Sequence, residues 1–285
     1  MPPVRIVCIS DTHNDDRRAD IPDGDIFIHA GDMTDWGTLT ELQDAYNWIS
    51  SLPHKLKIVV AGNHDFGLDA DHPRYVPEAV ELFTSDAAKA AGIHYLNQQV
   101  QTFTDYTSDS PGELRVYGNP RQPEFLGKPY AFIYRPFPFE GSVEAWKDAP
   151  TSNDNVDIWV MHSPPYGRLD AITAKYKGLT GCQVQVRKIA AAKPLLCVFG
   201  HYHFSWGVER VRWEEDGDGV SSSEFLSLSP ERKLEEGRDG PESVSEFSFP
   251  QLERGRETIF VNAACMTMNK ASEDRNKPIV INLSL

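Results

Sequence analysis

Five stretches of this chain are apolar at almost every position, and each stops at a residue that can carry chemistry. They read VRIVCIS (4–10), DIFIHA (25–30), KIVVAG (57–62), VDIWVMH (156–162) and LLCVFG (195–200). A strand with one wet face alternates apolar and polar side chains, whereas a strand covered on both faces does not. Such runs predict a sheet with material packed on both sides. Helical candidates lie between them. Thr38 to Ser51 opens on Thr38-x-x-Glu41, a capping-box pattern. Pro77 to Ala91 starts on proline and stops before Gly92, and Gly181 to Lys193 stops before Pro194. Strands alternating with helices predict an α/β layered fold. The runs TIFVNAA (258–264) and PIVINL (278–283) read as further strands.

With 285 residues, 40% of them hydrophobic, the chain can build one large domain or two small ones. No internal repeat is visible, so a single domain over 1–285 is expected. Residues 104–150 are rich in proline, aromatics and turns and predict loops and shorter strands. Residues 214–257 hold 13 acidic against 5 basic side chains and read as a flexible, mostly disordered acidic insertion. A fold tolerates such an excursion because closure entropy grows slowly with loop length. The chain carries 28 Lys and Arg against 42 Asp and Glu, a net charge of −14. That balance argues against extended nucleic-acid binding but leaves room for a small phosphate ester in a locally positive cleft. Cys8 and Cys197 sit inside apolar runs and read as buried reduced thiols, and no Cys-x-x-Cys pair suggests structural zinc. No basic region precedes a long apolar stretch, and no segment approaches the roughly 18 apolar residues of a membrane span. A soluble cytoplasmic protein with no membrane partner is the expectation.

The endings of the apolar runs point to function. They are Asp11-Thr12-His13, Asp32, Asn63-His64-Asp65, His162 and His201-Tyr202-His203. Each alone has a plain reading. Asp11 and Asp32 suit strand-to-turn junctions, Gly62-Asn63 is a turn dipeptide, and His162 suits a satisfied core histidine. The set is another matter, because five of the nine histidines fall at strand ends. In open α/β sheets ligands bind beyond the carboxyl ends of the strands. His201 and His203, two apart on an extended chain, point the same way. Imidazole, carboxylate and amide oxygen suit divalent first-row metals such as Mn, Zn, Fe or Ni. Seven candidate ligands exceed the needs of one ion, and two ions sharing one carboxylate fit better.

This order of motifs resembles the calcineurin-like metallophosphoesterases: Asp-x-His, Gly-Asp, Gly-Asn-His-Asp, a later His and Gly-His-x-His. Here those are Asp11/His13, Gly31-Asp32, Gly62-Asn63-His64-Asp65, His162 and Gly200-His201-Tyr202-His203. The stretches GDMTDWG (31–37), VYGNPRQPEF (116–125), GLTGCQVQVRKI (178–189) and FVNAA (260–264) resemble a smaller branch, the metallophosphoesterase-domain-containing proteins of animals and fungi. The resemblance implies a four-layer sandwich, two mixed β-sheets flanked by helices. It also implies a dinuclear centre of divalent or mixed-valence ions (Mn, Zn or Fe). Asp11, His13 and His203 would hold one ion, Asn63, His162 and His201 the other, and Asp32 would bridge them. His64 would face the substrate without ligating, and Asp65 would orient it by accepting its other N–H. The implied reaction is in-line attack on phosphorus by a metal-bridging hydroxide, with His64 assisting the departing oxygen.

Two departures bear on the substrate. Ala61 stands where protein Ser/Thr phosphatases of this superfamily carry Arg, and Asp35 stands where purple acid phosphatases carry a Tyr ligand. The resemblance then points to phosphodiesters, with cyclic nucleotides among the candidate partners. The alternatives are a phosphomonoesterase of broad specificity and a non-catalytic nucleotide-binding or scaffold protein on the same fold. Among the remaining polar residues, His29 reads as a core or supporting histidine. His54, His72 and His94 read as solvated, Asp35 as a turn or supporting group, and Asn262 as a candidate cleft residue.

Overall fold

The computed structural model describes residues 3–107, 112–124, 127–136, 139–173, 180–215, 217, 219–230, 232, 245–268 and 275–285. In chain order the first half runs β1 (Val4–Ile9), β2 (Ile26–Ala30), α1 (Leu39–Ser50), β3 (Leu56–Val60), α2 (Pro77–Thr84), α3 (Asp86–Ala90), β4 (Ile93–Tyr95), β5 (Gln99–Phe103) and β6 (Leu114–Asn119). A short pair, β7 (Gln122–Pro123) and β8 (Ile133–Tyr134), precedes α4 (Glu140–Ala145), β9 (Ile158–Met161), α5 (Gln183–Ala192) and β10 (Leu196–Phe199). The rest is β11 (Gly207–Trp213), β12 (Val220–Leu228), β13 (Glu246–Phe249), β14 (Glu257–Asn262) and β15 (Ile279–Leu283).

The strands form two large mixed sheets. One runs β13-β15-β1-β2-β3-β4 and the other β12-β11-β14-β10-β9-β6-β5. β1 to β4 are mutually parallel, as are β6, β9, β10 and β14. β15 returns antiparallel against β1, and β11 antiparallel against β14. The all-apolar runs now have their explanation. Ile6 and Cys8 of β1 face the second sheet, in a core shared with Val116, Val160, Val198 and Val261. Val7 and Ile9 point the other way, into a cluster with Leu42, Trp48 and Ile49 of α1 and Phe83 of α2. A third cluster packs Trp159, Cys197 and Phe260 from the outer face of the second sheet against Val184 and Ile189 of α5. Helices, sheet, sheet and helix make the four layers, and both central sheets are buried on two faces.

Local expectations hold in part. Thr38 caps α1 with both reciprocal bonds of the capping box, Glu41 N–H to Thr38 Oγ1 and Thr38 N–H to Glu41 Oε2. The run Pro77 to Ala91 is two helices rather than one. Ser85, at ψ 164°, breaks the first and caps the second by accepting from Ala88 N–H. β6, an interior strand of the second sheet next to its β5 edge, lies in the stretch read as loops and shorter strands.

The reading of 214–257 as a mostly disordered insertion is corrected. β12 spans nine of its residues and pairs with β11, and β13 pairs in parallel with β15. Described acidic side chains misled because they lie on exposed strand positions, as Glu224 and Glu246 do, or in ion pairs. Glu257 is buried and accepts from Arg210 and Arg212, while Glu253 pairs with Arg212. Its stretch 233–244 lies outside the described residues.

Candidate metal centre

The carboxyl ends of β1, β2 and β3 from one sheet and of β9 and β10 from the other open onto one crevice, and backbone hydrogen bonds stitch the loops together. Asp11 N–H donates to Gly31 O, His13 N–H to Asp32 O, and Gly200 N–H to His162 O. Side chains continue the stitching. Asp11 accepts from His201 N–H at 2.9 Å, and Asp32 accepts from His64 N–H at 2.8 Å. Four of the candidate ligands, Asp11, His13, Asp32 and His201, sit at positive φ, from 44° to 67°. Non-glycine residues in that region cost roughly 1–3 kcal/mol each and persist only where the surroundings over-determine them. Gly62 and Gly200 leave room for this crowding. A Cβ on Gly200 would fall against Asp11 Oδ2 and Ser10 Oγ, and one on Gly62 against Asp32.

The side chains converge as two groups. Asp11, His13 and His203 form one, with His203 Nε2 3.3 Å from Asp11 Oδ1. Asp32, His162 and His201 form the other. His162 Nε2 lies 3.3 Å from Asp32 Oδ2 and 3.0 Å from Asn63 Oδ1. His13 Nε2 lies 3.6 Å from the same Asp32 oxygen, so Asp32 stands between the groups. A third grouping places His64 with His13 and Asp32. Asp11, His13, Asp32, Asn63 and His162 are buried, and His64, His201 and His203 are half-buried.

The donor set fits divalent cations. His162 Nδ1–H donates to Ala30 O at 2.9 Å and His13 Nδ1–H to Asp35 Oδ1 at 3.1 Å. That fixes both rings with Nε2 toward the cluster, the arrangement that orients metal-bound imidazoles. A neutral His162 then aims a lone pair at the oxygens of Asp32 and Asn63. Three acceptors at such distances need a positive charge among them. Burial lowers the His162 ring, but the adjacent Asp32 charge and hydrogen bond outweigh it and lift the ring to about 9. The lift in the His162 ring reports the same demand for positive charge, which a proton meets in place of an ion. Burial would raise the Asp11 carboxyl, yet the hydrogen bond and charge of His203 hold it below the usual carboxylate range.

His64 does not lean on Asp65. Its Nδ1–H donates to the backbone carbonyl of Asp35 at 2.8 Å. The expected role of Asp65 as the orienting partner is corrected. Its buried carboxylate faces the backbone, accepting from Gly62 N–H at 2.8 Å, Thr34 N–H at 3.1 Å and Thr34 Oγ1–H at 2.9 Å. Asp65 braces the turns after β2 and β3, and through them Asp32 and Asn63. A short carboxylate three residues after Gly62 reaches back to that N–H more easily than forward to its neighbour's ring. Asp35 is the residue underweighted by sequence reasoning, and its spacing from Asp32 was the available signal. Tyr130, whose ring centroid is 5.2 Å from that of His64, comes from a distant loop with no motif to mark it. Asn262 holds the ligand loop through Nδ2–H to Tyr202 O at 3.1 Å. His54 is buried rather than solvated.

Two facing sheets that pool carboxylates and imidazoles at their strand ends define a candidate metal centre. The sequence profile of the calcineurin-like phosphoesterases matches residues 4–205. A human protein named metallophosphoesterase domain-containing protein 1 is 34% identical over 209 residues, covering 72% of this chain and 62% of that one. An Emericella nidulans protein named probable rhamnogalacturonate lyase C is 36% identical over 213 residues, covering 74% of this chain but 18% of its own length. This chain therefore spans less than two thirds of either relative. One solved crystal structure superimposes with a TM-score of 0.52 at 17% identity, over 76% of this chain and 89% of that one, a likeness of fold alone. The chain belongs to the calcineurin-like phosphoesterase family, the metal-dependent phosphoesterases. Among the described residues, no helix is long and apolar enough to cross a membrane.

Proposed function

We propose that this chain hydrolyses phosphodiesters at a centre of two divalent ions. The observation that carries the reading is the shared position of Asp32, between the Asp11–His13–His203 group and the His162–His201 group with Asn63. Asp11, His13 and His203 would hold one ion, Asn63, His162 and His201 the second, and Asp32 both. When bound, such ions neutralise charge on the phosphoryl oxygens and lower the pKa of water.

The chain's own groups do the rest. Asp35 O fixes the His64 tautomer with the proton on Nδ1, so Nε2 is the atom that exchanges a proton with the departing oxygen. Tyr130 and Phe66 flank the ring and limit its swing. Asp65 holds the turn that carries Asn63 and His64. The diester preference rests on Ala61. Its buried methyl group offers no cation for the second negative charge of a monoester.

The test is turnover of bis-p-nitrophenyl phosphate with added manganese, alongside p-nitrophenyl phosphate and an Asn63→Ala control. Diester hydrolysis above the control, and faster than monoester hydrolysis, is expected. No turnover above the control would overturn the reading.

A further inference from the structure

One flank of the centre runs against the charge of the whole molecule. The chain carries a net charge of −14, yet two cations, Arg74 and Lys128, each stand one aromatic ring away from His64, and neither is paired with a carboxylate among the described residues. They are tied to aromatic rings instead. The Arg74 guanidinium lies 5.5 Å from the ring of Trp36 and 5.1 Å from that of Phe66. Lys128 Nζ lies 5.8 Å from the ring of Tyr130. Phe66 and Tyr130 are the two rings that flank His64. Trp36, 59% exposed, follows directly on Asp35, which holds the His64 ring.

The frame beneath these cations is built, not incidental. His72 links the loop of Arg74 to the loop of Lys128. Its Nδ1 accepts from Arg74 N–H at 3.1 Å and its Nε2–H donates to Pro129 O at 3.1 Å. Phe132 N–H donates to Asp69 Oδ2 at 2.6 Å across the same pair of loops, and Ala131 N–H donates to Asn63 O at 3.1 Å. The cations are therefore registered against the candidate ligand Asn63. A guanidinium against ring faces keeps its in-plane N–H groups outward, where they match a planar or tetrahedral anion.

We infer that Arg74 and Lys128, held on Trp36 and Tyr130, form a second subsite for a negatively charged group carried by the leaving side of the phosphoester. The inference rests on the reading of His64 as the residue that faces the departing oxygen. The substrate class is a phosphoester whose leaving alcohol bears a carboxylate or a further phosphate at least one ring's length beyond the ester oxygen. An overall acidic protein repels such molecules at long range, so a local cationic flank is what lets them dwell.

Three aryl methyl phosphates test this on the manganese-loaded protein: the 4-carboxyphenyl, 4-phosphonophenyl and 4-carbamoylphenyl esters. The last is a neutral isostere of the first. At least one anionic ester is expected to show a KM about three- to tenfold below the neutral one at low salt, as partly exposed ion pairs allow. The carboxylate and phosphonate arms show which anion is favoured. The ratio should fall toward one near 0.5 M salt, where the screening length is only about 4 Å. It should fall likewise in Arg74→Gln/Lys128→Gln, and partly in each single variant should the double fail to fold. Equal KM values for all three esters in the wild type, or a ratio kept in the variants, overturn the subsite while the phosphodiesterase reading stands. No turnover of any ester overturns that reading and the subsite with it.

Discussion

His64 Nδ1 lies 2.8 Å from the carbonyl oxygen of Asp35, and the carboxylate of Asp35 accepts from His13 Nδ1–H at 3.1 Å. One residue thus sets the tilt of two rings, one a candidate ligand and the other the candidate proton donor. It uses its backbone for the first duty and its side chain for the second. A change at Asp35 that spares the main chain disturbs His13 more than His64.

His64 and Asp65 are neighbours with separate jobs, and paired variants should divide them. His64→Gln is expected to melt close to the wild type and to lose about 100-fold or more in kcat, the scale of a lost general acid. Asp65→Asn places an amide N–H against the donors of Gly62 and Thr34 and should cost about 1–3 kcal/mol of stability. Thermal unfolding and steady-state kinetics on both variants check this. Equal melting temperatures for Asp65→Asn and the wild type would contradict the bracing role.

Cation removal should be visible without any substrate. A ligand present at about 100 times its Kd stabilises the folded chain by about 2.7 kcal/mol. Dialysis against a chelator is expected to lower the melting temperature, and added manganese to restore it. Elemental analysis of the reloaded protein should give two equivalents per chain. Asp32→Asn, which weakens the position common to both groups, should bind less than either His203→Ala or His201→Ala.

Gly200→Ala drives a methyl group into Asp11 Oδ2 and Ser10 Oγ. The Asp11 carboxylate must then move, and the His201 N–H it holds moves with it. A loss of about 1–3 kcal/mol is expected, the usual cost of overpacking. Bound metal should fall as well, by elemental analysis. Unchanged metal content would show that the turn can yield without releasing Asp11.

Glu257 gives a pH signature remote from the centre. Burial raises its carboxyl, but the Glu253 N–H and the Arg210 guanidinium outweigh that and hold it below the ordinary value. Its contribution is therefore complete above the unfolded pKa of about 4.3 and fades as pH falls below it. Glu257→Gln should cost about 1.5–3 kcal/mol at pH 7 by urea unfolding, the range for charged hydrogen bonds. The difference should narrow by about pH 3.5.

The strands that build the centre were legible because burial on both faces leaves a plain mark in composition, and Asp11, Asp32, Asn63 and His162 fall just past their ends. The cap of α1 was legible because the two reciprocal Thr38–Glu41 bonds close within a single turn. What escaped depends on contacts between distant segments. Nothing near Ser85 announces that it will end one helix and begin another. The partner of His64 is a main-chain carbonyl, which any residue could offer. β12 and β13 were hidden because charge and serine content speak of solvent on one face and are silent about pairing on the edge.

Those two strands have a bearing on how the chain tolerates shortening. β12 is outermost in one sheet and β13 outermost in the other, and both come from the same acidic stretch. Trimming that stretch as though it were a dispensable tail would bare the hydrogen-bonding rims of β11 and β15 together, and open rims are where chains zip to one another. Exposed Glu224 on β12 and Glu246 on β13 then set a charge on each rim, which hinders neighbouring molecules from adding a strand of their own.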